Sequence, residues 1–222
     1  MKTFNKELQQ QTTPEQVLEI LKQGNERFAN NNRLDRNLLD QVKDTKDGQW
    51  PMAAVLSCID SRASVELTFD LGIGDVFSIR IAGNIVNEHI LGSMEFACKV
   101  AGAKMIVVLG HTKCGAVKGA CDHVRLGNLT SLISAIEPAV EMEKETNDNR
   151  NSSNAEFVER VASINVRKTV QDILERSTII KEMVDAGEIG IIGGMYDITT
   201  GKVEFYEDTK ILNKKQEAAT TA

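Results

Sequence analysis

Four short apolar runs, residues 52–56, 76–81, 104–109 and 188–196, are separated by segments with helical spacing, and this alternation restricts the fold more than any other property of the chain. Short runs rich in β-branched residues read as strands buried on both faces. Strands joined through helices cross over right-handedly into a parallel sheet. After the fourth run, Thr199-Thr200-Gly201 turns the chain into residues 202–206, which read as an antiparallel edge strand. The expected fold is α/β: a mostly parallel four-stranded sheet with an antiparallel fifth edge strand, flanked by helices.

Helix signals fill the gaps. Thr13 is placed as an N-cap with Pro14 at the first helical position and Gln16 completing a capping box, ahead of Val17, Leu18, Leu21 and Phe28 at helical spacing. Residues 30–50 are polar and read as a covering arm with one short helix. Residues 1–50 are therefore expected to form an N-terminal helical arm, 51–210 the α/β domain and 211–222 a polar, mobile tail. Residues 63–71 have helical character, 91–100 form a helix closed by Gly102, and 129–145 are expected to be helical despite Pro138. Residues 156–186 give one long helix or two consecutive ones, stopped by Gly187.

At 222 residues the chain suits one well-filled core, and no composition shift divides it in two. No apolar segment approaches the roughly 20 residues needed to span a bilayer. The net charge of −6 argues against a nucleic-acid partner, because phosphate binding relies on clustered Lys and Arg. The first residues lack the apolar region of a secretory signal, so a cytoplasmic location is expected. In that compartment the four cysteines are thiols or metal ligands, not a disulfide framework. Cys98 and Cys121 read as small buried hydrophobes.

Ser57-Cys58-Ile59-Asp60-Ser61-Arg62 follows the first strand, and the carboxyl ends of strands are where open α/β sheets bind ligands. Residues 110–119, read as the loop after the third strand, carry His111-x-x-Cys114. Two thiolates and an imidazole suit Zn²⁺, and three protein ligands leave a fourth tetrahedral position for water, the arrangement of a catalytic site. Asp60 is placed to accept a hydrogen bond from the zinc-bound hydroxide, and Arg62 to pair with Asp60 and keep it ionised. The bland alternative makes Asp60 and Ser61 caps of the next helix and Arg62 a surface cation. His89 and His123 are either proton shuttles or satisfied loop residues, the second reading being favoured. Cys121-x-His123 has poor spacing for a second metal pair, and no nucleotide-binding glycine fingerprint is present.

Cys58-x-Asp60-x-Arg62 and His111-x-x-Cys114-Gly115, joined by Gly74-Asp75-Val76-Phe77 and Arg80-x-Ala82-Gly83-Asn84, closely resemble the β-class carbonic anhydrases. The resemblance extends from residues 23–28 to Gly201. It implies reversible hydration of CO₂ to bicarbonate and a proton, one Zn²⁺ per subunit held by Cys58, His111 and Cys114, and a catalytic dyad of Asp60 and Arg62. It also implies the plant-like branch, with Gln49, Phe77, Phe96 and the backbone donor of Gly115 forming the substrate pocket. Phe96 stands where that branch often has Tyr, so it lacks a hydroxyl. In this family the Gln and the aromatics reach into the neighbouring subunit's site, which implies an obligate dimer or a dimer of dimers. The other branch needs a Trp where this chain has Val55; although Arg80 and Tyr196 resemble other parts of its bicarbonate inhibitory pocket, no such regulation is expected. The alternatives are hydrolysis of carbonyl sulfide or carbon disulfide on the same scaffold, and a non-catalytic zinc-stabilised oligomer, which would need a lost ligand or dyad member.

Overall fold

The computed structural model describes residues 3–213. Five strands, β1 (Ala53–Ser57), β2 (Val76–Arg80), β3 (Met105–His111), β4 (Gly190–Tyr196) and β5 (Val203–Ile211), form one sheet in the order β2-β1-β3-β4-β5. The first three pairings are parallel and β4–β5 is antiparallel, as the sequence pattern implies. Every residue of β1, β3 and β4 is buried, which explains their unbroken apolar runs. From β1 the chain crosses to β2 on one side and then returns to β3 on the other. The carboxyl ends of β1 and β3 therefore lie side by side where the winding reverses, the place at which sheets of this order bind ligands.

Alternate residues of the strands supply two cores. Met105, Val107 and Leu109 face a cluster with α2 (Pro14–Ala29), whose Val17, Leu18 and Leu21 are buried there beside Val55 and Phe69. Burial of each such side chain stabilises by about 1.5–3 kcal/mol, and the capping box of Thr13 and Gln16 fixes where the helix begins. Ile106 and Val108 face the larger cluster, built with α6 (Gly115–Cys121), α7 (Leu129–Met142), α8 (Ala155–Arg176) and α9 (Thr178–Asp185).

Several boundaries differ from the sequence reading for identifiable reasons. His111 ends β3 and is not a loop residue, because Leu109-Gly110-His111 pairs with Gly194-Met195-Tyr196. The helix expected over 63–71 shrinks to one turn, α4 (Val65–Thr68); Asp70 takes a left-handed φ of 46° and ends it. The helix expected over 91–100 starts earlier, as α5 (Glu88–Glu95) capped by Asn87, and finishes in a π-helical turn, Phe96–Val100. α7 stops at Met142, short of residue 145, where the buried Glu143 carboxylate turns to accept from the Glu145 and Thr146 N–H groups and from Arg150. Two consecutive helices, not one, follow: Ser177 closes α8 and caps α9 through Oγ. β5 runs well past 206 and carries a bulge opposite β4.

The first 50 residues contain α1 (Lys6–Gln11), which the sequence reading did not place, then α2 and α3 (Leu38–Thr45). Buried Gln9 of α1 donates to the carbonyls of Pro51 and Ala101, both at 2.8 Å. The arm is fastened at Asp70: Arg27 Nε donates to Oδ2 at 2.6 Å, Arg36 Nη1 to Oδ1 at 2.5 Å, and the Leu34 N–H to Oδ2 at 3.2 Å. Most of the expected tail, residues 214–222, lies outside the described residues.

Candidate metal centre

Cys58 Sγ, a nitrogen of His111 and Cys114 Sγ all lie within 4.8 Å of one another, and all three residues are buried. The two sulfurs are 4.0 Å apart. Each donor is placed by a different local device. Cys58 leaves the end of β1, His111 is the last paired residue of β3, and Cys114 is delivered at the start of α6 by a turn through Lys113 at φ 57°. His111 Nδ1 lies 2.9 Å from the Thr112 carbonyl, to which it can only donate, so Nε2 carries the free lone pair. That Nε2 is buried without a hydrogen-bond partner. A buried, unpartnered acceptor costs about 1–3 kcal/mol, and a cation beside two sulfurs would remove the penalty.

Asp60 Oδ2 lies 3.8 Å from His111 Nε2. Arg62 grips the carboxylate through Nε to Oδ1 at 2.9 Å and Nη2 to Oδ2 at 2.6 Å, and its own N–H donates to Oδ1 at 2.9 Å. The Arg62 hydrogen bonds hold the Asp60 carboxyl well below the usual carboxylate range, against the opposing effect of burial. The helix-capping alternative fails, since α4 begins at Val65 and its N-cap position is Ser64.

The Cys114 thiol, above all, pushes Cys58 down to about 4; burial opposes it, and His111 and the Gly83 N–H also favour the thiolate. Cys114 is driven up in turn, by its hydrogen bond with Cys58 and by burial. Burial is the strongest influence on His111 and lowers its basicity, yet the neighbouring Cys58 sulfur, the Thr112 carbonyl and the Asp60 charge leave it raised overall. The cluster draws positive charge inward. By contrast, burial pushes Cys98 up to about 12 and Cys121 up to about 11, in keeping with buried apolar roles.

The remaining residues singled out from the sequence fall into four places. Gly115 opens α6, and a side chain there would meet nothing within 4 Å, so its backbone borders open space. Phe77 and Phe96 meet edge-on, ring centroids 6.3 Å apart, and line a cleft of about 580 Å³ along the β2 edge, with Phe96 half exposed. Gln49 is exposed ahead of β1, and no hydrogen bond joins it to the three donors among the described residues. His89 lines the β2-edge cleft, and His123 Nδ1 pairs with Glu137 at 3.2 Å. Cys121 and His123 join no metal-holding group among the described residues.

Two supports escaped the sequence reading. The Gly83 N–H donates to Cys58 Sγ at 3.3 Å, and buried Asn165 of α8 holds the Gly83 carbonyl at 2.8 Å. Gly83 sits at φ 69°, and a Cβ there would come within 2.5 Å of Ile136 Cδ1, so the glycine is needed for this approach. Arg80 donates to the carbonyls of Cys58 and Asp60. The break at Gly83-Asn84 was visible in the sequence; its hydrogen bond to a sulfur was not.

The family model described as carbonic anhydrase matches residues 53–203. Over 197 residues the chain is 34% identical to Carbonic anhydrase 2 of Mycobacterium tuberculosis, covering 86% of this chain and 92% of that protein. Among solved structures, the β-carbonic anhydrase CcaA aligns with a TM-score of 0.69 at 22% identity, over 91% of this chain and 92% of that one. A tetrameric β-carbonic anhydrase from Sordaria macrospora aligns with a TM-score of 0.64 at 22% identity, over 76% and 90%. The chain belongs to the carbonic anhydrase family, and its fold is that of the β-carbonic anhydrases.

Proposed function

We propose that this protein is a zinc enzyme catalysing reversible hydration of CO₂ to bicarbonate and a proton, with Cys58, His111 and Cys114 as metal ligands. The observation that carries this reading is the convergence of three buried donors on one point, with His111 Nε2 unpartnered and the Asp60 carboxylate beside it. Two thiolates bound tetrahedrally to zinc at about 2.3 Å would stand about 3.8 Å apart. The observed 4.0 Å fits that ion without rearrangement. When bound, zinc would acidify a water at the open position, so that a nucleophile is available near neutral pH.

The chain's own residues do the rest. Asp60 stays ionised in the grip of Arg62 and accepts a hydrogen bond from the attacking oxygen, which aims its lone pair at the CO₂ carbon. The Gly115 N–H is the backbone donor to a substrate oxygen. Gln49 supplies a side-chain hydrogen bond and Phe77 with Phe96 the apolar wall, contributed across a subunit boundary. Self-association as a dimer or dimer of dimers is supported by the exposed Leu38, Leu39 and Val42 of α3 and by exposed Phe96. In this reading the arm of residues 1–50 packs on the partner subunit. Cytoplasmic residence is supported by four free cysteines. No described helix is long and apolar enough to cross a membrane.

Stopped-flow hydration of CO₂, measured together with zinc content, tests the proposal. The expected result is about one zinc per subunit and a rate lost in Cys58→Ser. A zinc-loaded protein no faster than that variant would overturn the reading.

A further inference from the structure

We infer that Arg80 is a positioning residue whose guanidinium fork holds the Cys58–Asp60 turn in place, so that the Cys58 sulfur and the Asp60 carboxylate both face His111. The inference rests on the metal-centre reading given above and adds a residue to it.

Arg80 is the last residue of β2 and pairs in register with Ser57, the last residue of β1. Its side chain reaches across the ends of both strands. Nε donates to the Cys58 carbonyl at 3.0 Å and Nη2 to the Asp60 carbonyl at 2.7 Å. The two carbonyls belong to a metal-ligand candidate and to the carboxylate beside it, and only Ile59 separates them. Around this fork, Ile81 N–H ties to the Ser57 carbonyl at 3.0 Å and the Gly83 N–H to the Cys58 sulfur at 3.3 Å. The end of β2 and the segment after it thus grip the turn at three atoms and the last residue of β1 at a fourth.

Arg80 does not behave as an ordinary surface cation. Although exposed, it forms no ion pair with a carboxylate among the described residues and directs its donors to backbone oxygens instead. Apart from Arg80, the Asp60 carbonyl accepts among the described residues only the Ala63 N–H, at 3.0 Å and within the turn itself, so Arg80 is what ties this end of the turn to β2. A rotation there would move the Cys58 sulfur and the Asp60 carboxylate together. A displacement of about 1 Å in such a constellation can cost about a hundredfold in rate. Lysine cannot replace the fork, because an ammonium is a point donor on a flexible stem, whereas the guanidinium presents its donors in one rigid plane.

Full-length Arg80→Lys and Arg80→Ala proteins separate geometry from charge. Zinc affinity would be read by chelator competition, and the cobalt-substituted proteins by their thiolate-to-metal charge-transfer absorption. The expected result is a loss of about 10–100-fold in zinc affinity in both variants, the range typical of groups that orient metal ligands. The cobalt band should be altered in both, kcat should fall more than KM changes, and Tm should stay near that of the parent. A lysine variant that matches the parent would overturn the inference, since charge alone would suffice. So would parent-like affinity and spectra in both variants, or a drop in Tm large enough to account for the lost affinity. If the parent binds zinc but hydrates no CO₂, the proposed function fails while the affinity and cobalt readouts still decide the role of Arg80.

Discussion

Asp60 and Asp70 are both carboxylates held by arginine, and they do opposite work. Asp60 takes its guanidinium from Arg62 in the same turn, and that partner is 53% exposed. Asp70 takes Arg27 from α2 and Arg36 from the arm; its own side chain is 2% exposed and that of Arg36 is 7%. The first pair joins no separate elements, so it sets a protonation state and an orientation. The second ties two points of the arm to a residue 43 and 34 positions away, so it sets assembly. Sequence separation and burial, not the ion pair as such, decide which role an Asp–Arg contact plays.

Breaking each pair should separate the two roles. The largest effect is expected from Asp60→Ala: CO₂ hydration should fall by about 10²–10⁴-fold with Tm almost unchanged, the range for loss of a positioned acid–base group. Unfolding as severe as that caused by removing a ligand would assign Asp60 to the scaffold instead. Next comes Asp70→Ala, which leaves buried Arg36 uncompensated and should cost about 3–5 kcal/mol in denaturant unfolding. Its zinc-loaded fraction should keep the parent's turnover, and a turnover loss larger than the unfolded fraction would blur the contrast.

The acid limb of stability should follow Asp70 as well. Burial raises its pKa, but Arg27 and Arg36 outweigh burial and leave it lowered. A lowered folded value means that this stabilisation is fully present above the unfolded pKa of about 3.9 and is lost as pH falls through the folded value. Asp70→Asn should therefore flatten the stability profile below about pH 4. An unchanged acid limb in the variant would exclude Asp70 as its source. The smallest effect is expected for Arg27→Ala, about 1 kcal/mol, because Arg27 is partly exposed and Arg36 remains in place.

Much of this architecture was written in local pattern. The β-branched runs located four strands, and the spacing of Cys58, His111 and Cys114 located the donors before any geometry was available. What escaped depends on partners distant in sequence. His111 becomes a strand residue only through its pairing with Tyr196, which the glycine beside it does not advertise. α1 has no apolar stripe, and its anchor is the amide of Gln9, buried because two carbonyls await it. The grip of Arg80 on two backbone oxygens depends on strand register, which no composition rule supplies. The capping box at Thr13 was legible because every atom it needs lies within four residues.

The strand order has a consequence for how the protein comes into being. β1 and β3 are neighbours in the sheet, yet β2 and α5 are threaded between them in sequence. During synthesis, Cys58 emerges well before His111 and Cys114, and it cannot meet them until the parallel pairing of β1 with β3 has formed. Such non-local pairings form late, after loop-closure entropy has been overcome. A chain stalled or misfolded before that point does not hold Cys58, His111 and Cys114 at one place. Tight retention of the metal would then mark completed sheet assembly, and the ion would add its binding energy only to chains that had already folded.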